Sequence, residues 1–134
     1  MAGTNTKAVD SEQVVSSGGK NYLRRIEAQW VGDASDGSVP DLVISAVWGF
    51  LDRVEIVPGA SVAPTDGYNA YVKDQALVDI LGGVGSGSSS TATGTINMVP
   101  RYQLDGDDLT VSISGNSVVS ATGKVVLHLS RSKG

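Results

Sequence analysis

His128 is the single histidine of the chain, so any Ser-His-Asp arrangement must run through it, and a histidine-based metal cluster cannot form within one chain. Its segment alternates, with Val125, Leu127 and Leu129 on one side and His128 on the other. A Gly-x-Ser-x-Gly nucleophile elbow is missing, and the serines near Gly85 stand in a flexible Gly/Ser tract from Gly82 to Thr91. His128 therefore reads as a surface or subunit-contact residue. The same tract lacks the Gly-Lys-Ser/Thr ending of a phosphate loop, and no helical pattern follows it to hold an anion. Asp105-Gly106-Asp107-Asp108 crowds three carboxylates together, but the pattern stops before the bidentate Glu that completes a calcium loop. It reads as a solvated turn entering the Leu109 segment, with a lattice or subunit calcium site as the alternative. Cysteine is absent, which removes disulfides, zinc-thiolate sites and thiol nucleophiles together. No residue is thereby marked as catalytic, cofactor-binding or metal-ligating, and the chain is not expected to be an enzyme.

Arg24-Arg25, followed by Glu27, forms the one basic pair in the body of the chain. No further Lys or Arg joins it in a stripe with aromatics, and the formal charge of −4 opposes a phosphate-binding role. Nucleic acid is not an expected partner; a salt-bridged edge or a subunit contact is. Trp30 and Trp48 fall in phase with apolar neighbours and are expected in the core, whereas a sugar-stacking platform would need them outward.

These residues must be positioned by strands. At 134 residues there is room for one core. With 17 glycines and only 5% aromatics, that core is built from Val, Ile, Leu and Ala between frequent turns. Residues 1–20 lack sustained periodicity, end in Ser16-Ser17-Gly18-Gly19, and read as a flexible N-terminal arm. Met1 to Gln13 has no apolar stretch of the secretory kind, and the ten residues from Leu42 to Leu51 are about half what a membrane span needs. Membrane partners are not expected.

Within residues 21–134 the period is two. Ile26, Ala28 and Trp30 oppose Arg25, Glu27 and Gln29; Leu42 to Trp48 is apolar on both faces; Phe50, Val54 and Ile56 oppose Arg53 and Glu55. Tyr68 to Lys73, Thr95 to Val99, Leu109 to Ser114 and Val125 to Leu129 continue the series, while Leu77 to Leu81 fits a strand or a single helical turn. The expected fold is all-β: a single antiparallel β-sandwich, jelly-roll-like, of about seven or eight strands. A strand apolar on both faces is either central or covered by another subunit, so Val43, Val47 and Leu51 are expected to border an intersubunit surface, joined by Arg24, Arg25 and His128.

The stretch Ala63-Pro64-Thr65-Asp66-Gly67-Tyr68-Asn69-Ala70-Tyr71-Val72-Lys73-Asp74, continued by Val78-Asp79-Ile80-Leu81-Gly82-Gly83-Val84-Gly85, resembles a segment of small tailed-phage virion proteins. The ending, Leu109 to Gly115 with Gly123 to Leu129, is similar to the closing hairpin of the same group. The resemblance covers roughly half the chain, and residues 1–40 fall outside it. It implies a virion structural protein of capsid cement or decoration type, assembled in a host cytoplasm, whose partners are the major capsid protein and copies of itself. A neck, tail or receptor-binding virion component, or a carbohydrate-binding module, would carry a similar pattern.

Overall fold

The computed structural model describes residues 2–14 and 21–132. Six strands make one antiparallel sheet: β1 (Thr4–Val14), β2 (Asn21–Val31), β3 (Leu42–Pro58), β4 (Asn69–Lys73), β5 (Gly94–Ser114) and β6 (Thr122–Ser132), in the order β1-β2-β6-β3-β5-β4. There is no helix among the described residues.

The count is six because two pairs of expected strands are continuous, Leu77 to Leu81 forms no strand, and Thr4 to Val14 adds one that was not expected. Leu42 to Trp48 and Phe50 to Val57 are one strand, β3, bent where Ala46 (φ 54°) and Gly49 (φ 109°) enter the left-handed region. Thr95 to Val99 and Leu109 to Ser114 are likewise both parts of β5, which runs through Gly106 at φ 81°. Asp105 to Asp108 thus lies inside a strand rather than in a turn before one. Glycines that read as punctuation serve here as bends within long strands.

Of the residues expected as a flexible arm, Thr4 to Val14 are placed differently, as edge strand β1 paired with β2 from Thr4↔Val31 to Val14↔Tyr22. Residues 15–20, with the Ser/Gly hinge, lie outside the described residues. β1 has no apolar face, only Asn5 being buried along it, so ladder bonds and ion pairs hold it. Arg24 grips Asp10 with two bonds, Nε–Oδ1 at 2.8 Å and Nη2–Oδ2 at 2.7 Å, and Arg131 Nη2 lies 3.0 Å from Glu12 Oε2. The hydrogen bond from Arg24 holds the Asp10 carboxyl down at about 2, against an ordinary 3.8.

A sheet without helices buries one face only by curling over it. Asn5 of β1 shows that it does, donating from Nδ2 to the carbonyl of Val111 on β5, four places away in the strand order, and to that of Pro40. The enclosed face carries Ile26, Ala28 and Trp30 of β2, Val125, Leu127 and Leu129 of β6, and matching residues of β3, β4 and β5. Burying each Leu, Ile or Val side chain stabilises the fold by about 1.5–3 kcal/mol. Trp30 is 1% exposed and meets Tyr68 at a centroid distance of 5.7 Å. Trp30 Nε1 and the Tyr68 hydroxyl are both buried without a hydrogen-bond partner, and burial pushes the Tyr68 hydroxyl up to about 12.

Leu77 to Leu81 is neither strand nor helix but the start of a turn-rich segment that runs along the outer edge of β4. Ile80 donates to the Val72 carbonyl, Ala70 to that of Gly85, and Ser88 to that of Tyr68. The Gly/Ser tract is therefore held by β4, and this sheet edge has its main-chain groups paired by the chain itself.

Candidate functional site

The side chains on the outer face of the sheet form rows across the strands, because residues opposite one another in register share a face. One row reads Asn97 (β5), Arg53 (β3), His128 (β6), Arg25 (β2), Ser11 (β1), each the direct partner of the next. Neighbouring strands lie about 4.8 Å apart, so three basic side chains stand side by side. Two residues along, the next row carries Glu55 and Glu27 on either side of Val126.

The acids hold the bases in place. Glu55 Oε1 lies 2.5 Å from His128 Nε2 and 3.6 Å from Arg53 Nη2, and Arg53 Nη2 lies 3.4 Å from that imidazole nitrogen. A carboxylate only accepts, so His128 Nε2 carries the proton. Glu27, buried at the foot of the row, accepts a short bond from Arg25 Nη1 and has Lys124 Nζ 3.2 Å from Oε1. Burial alone would raise the Glu27 carboxyl; attraction from Lys124 and Arg25 outweighs it and holds the group below its usual range. Each arginine spends part of its fork on an acid and keeps further N–H donors, with the Arg25 and Arg53 side chains nearly half exposed. The row opens into a concavity of about 660 Å³, bordered by Leu23, Asp52 and the end of β1.

Of the residues singled out in the sequence, the fold brings Arg24, Arg25 and His128 to this concavity, with Arg24 already bound to Asp10. Val43 is 55% exposed but lies towards the other end of β3, outside the cleft lining. Val47 and Leu51, expected at a subunit surface, are instead core residues with no exposure, and Trp48, expected inward, is 52% exposed. The cause is local. Register shifts between Ile44 and Val47, so the chain gains a residue at Ala46, and every side chain after it changes face as far as the next bulge of β3, between Leu51 and Arg53; the shift between Val47 and Trp48 adds its residue on β5. The Ala46 N–H freed by the bulge is taken by Asp108 Oδ1 at 3.0 Å, which gives one carboxylate of the acidic run a structural task. Phe50 is carried outward by the same shift and lies half-buried under Arg101, whose Cζ is 4.4 Å from the ring centroid.

Sequence reasoning missed Arg53 and Asn97 as members of the row. The signal for Arg53 was present, since it alternates with Glu55 on the polar side of β3; joining it to His128 requires the register. His128 Nε2 donates to Glu55, with Arg53 Nη2 beside it 3.4 Å away, and no serine or threonine hydroxyl among the described residues is within hydrogen-bond reach of it. Among the described residues no group of three or more His, Cys, Asp or Glu is arranged to hold a metal, and no helix is long and apolar enough to cross a membrane. What the arrangement offers chemically is a broad, rigid, hydrogen-bond-donating surface. In comparisons with protein-family models, curated proteins and solved structures, no significant match to this chain is found.

Proposed function

We propose that the chain is a non-enzymatic virion structural protein, of capsid cement or decoration type, that stabilises a shell by side-chain contacts with the major capsid protein and with copies of itself. On this reading the curled sheet is a jelly-roll-like sandwich, and its outer face is the contact surface. The observation that supports it is the row Arg53, His128, Arg25 on the face of an acidic protein. Its donors are spread across three neighbouring strands and braced from below by Glu27 and Glu55, which suits an extended acidic surface better than a single reacting atom.

Immunogold electron microscopy of purified particles from the source lysate tests the reading. Gold over heads supports it; gold confined to tails or necks moves the chain to another part of the virion; bare particles refute a virion role. Where heads are labelled, the double charge reversal Arg25→Glu, Arg53→Glu should release the protein from particles at salt concentrations that leave the parent bound.

A further inference from the structure

The bulge that turns Val47 inward leaves Trp48 on the outside, and the indole is not loose there. Its six-membered ring lies directly on Gly106 of β5: a Cβ at Gly106 would stand 2.7 Å from Cζ2 and 2.9 Å from Cε2. Only a residue without a side chain lets the ring settle on the backbone, and at φ 81° only glycine sits there without strain. One face of a large apolar ring is thus fixed against the sheet while half of its surface meets solvent.

Around it the register supplies polar side chains. Asp105 is directly opposite Trp48, and Gln103 opposite Phe50, on the same outer face. Gln103 Nε2 lies 3.4 Å from Asp105 Oδ1, which orients both planar groups and leaves the Gln103 carbonyl and the second carboxylate oxygen able to accept further bonds. Arg131 closes the side of a concavity of about 280 Å³. That is smaller than the ~300–1,000 Å³ of pockets that enclose a drug-sized molecule, and it suits one ring seated on its face.

We propose that this surface is a carbohydrate-binding site, with the Trp48 indole as the platform for the C–H face of a neutral pyranose and Gln103, Asp105 and Arg131 as partners for its hydroxyls. Hydrogen-bonding complementarity singles out this ligand class. A lysine or arginine side chain could pair with Asp105, but it brings donors only and would leave the N–H groups of Gln103 and Arg131 without acceptors. An apolar side chain would strip water from three polar groups and pair with none of them. A pyranose satisfies both halves, an apolar face for the ring and a rim of hydroxyls that donate and accept. The site stands on observations separate from the arginine row and does not depend on the virion reading.

The test is native affinity electrophoresis of the full chain through gels containing soluble polysaccharides built of glucose, mannose, galactose or N-acetylglucosamine, followed by fluorescence titration with oligosaccharides of the retarding type. At least one polysaccharide should retard the protein. The matching oligosaccharide should shield Trp48 from acrylamide quenching, while Trp30, in the core, is unreachable in either state. Trp48→Ala should weaken binding at least about tenfold, and Gln103→Ala by a smaller factor, with thermal unfolding of Gln103→Ala unchanged. Migration unaffected by every polysaccharide, or retardation that persists in Trp48→Ala, overturns the proposal. So does shielding of Trp48 by a lysine-rich peptide when no sugar gives it, which would assign the ring to a cationic partner.

Discussion

Trp30 rests on Gly123 in the neighbouring strand much as Trp48 rests on Gly106, but in the core, where the ring has nowhere to go. A Cβ at Gly123 would lie 2.4 Å from Trp30 Cζ2, 2.6 Å from Cε2 and 2.9 Å from Nε1. Carbon atoms in contact sit about 3.5–4.0 Å apart, so the overlap is about 1 Å. Gly123 has ordinary strand dihedrals, which means Gly123→Ala carries no backbone strain and isolates the clash. With Tyr68 behind the indole, the overlap is relieved only by moving core residues. Overpacking of this kind costs about 1–3 kcal/mol, and we expect about 2. For a chain of this length the midpoint should fall by roughly 8 °C, followed by far-ultraviolet circular dichroism because tryptophan emission would itself be perturbed. Trp30→Leu removes all three clashing atoms. In that background Gly123→Ala should be neutral, or stabilising by about 0.4–1 kcal/mol through its effect on the unfolded chain. The coupling between the two sites is then about 2 kcal/mol or more. Equal losses in both backgrounds would refute the seat and point to a backbone cause.

Three further outcomes are expected. Leu51→Ala should destabilise by about 2–5 kcal/mol in urea titration, while Val43→Ala stays within about 0.5 kcal/mol; the reverse order would place the face change of β3 elsewhere. Tyr68→Phe removes a buried hydroxyl that has no partner, so stability should hold or rise by up to about 1–3 kcal/mol, and a loss above about 1 kcal/mol would reveal a bond to that oxygen. The Asp10 carboxyl is held at about 2 in the folded chain, below its ordinary 3.8, so its contribution is full above the ordinary value and disappears as pH falls towards 2. Because Asp10 lies on the edge strand and meets solvent, Asp10→Asn should lower stability by less than about 1 kcal/mol near neutrality, and the difference should vanish at about pH 2.

What the sequence made legible follows from how each segment is buried. β2 and β6 alternate cleanly because each has one enclosed face throughout, and Ile26, Ala28, Trp30, Val125, Leu127 and Leu129 are where period two puts them. β3 misled because its apolar residues occupy both parities: one inserted residue at Ala46 exchanges Val47 for Trp48, and nothing in an apolar run announces it. β1 was invisible for the opposite reason, having no apolar face to read; a polar edge strand and a polar arm have the same composition. Gly49 and Gly106 looked like ends of strands since glycine marks bends and breaks alike. The basic pair and the histidine were legible as residues, while their meeting was not, because Arg25, His128 and Arg53 are joined by strand register alone.

The segment laid along β4 has a consequence for how the molecule can associate. A sheet with two receptive margins can add neighbours on both sides and propagate without limit, the geometry of a cross-β fibre. Here the chain has turned its own glycine-serine tract into a permanent occupant of one margin. Lateral addition is confined to the β1 side, where one partner ends the process. The fold thereby separates two kinds of growth: lateral pairing is limited to a single step, and any larger array must be assembled through side chains on its faces.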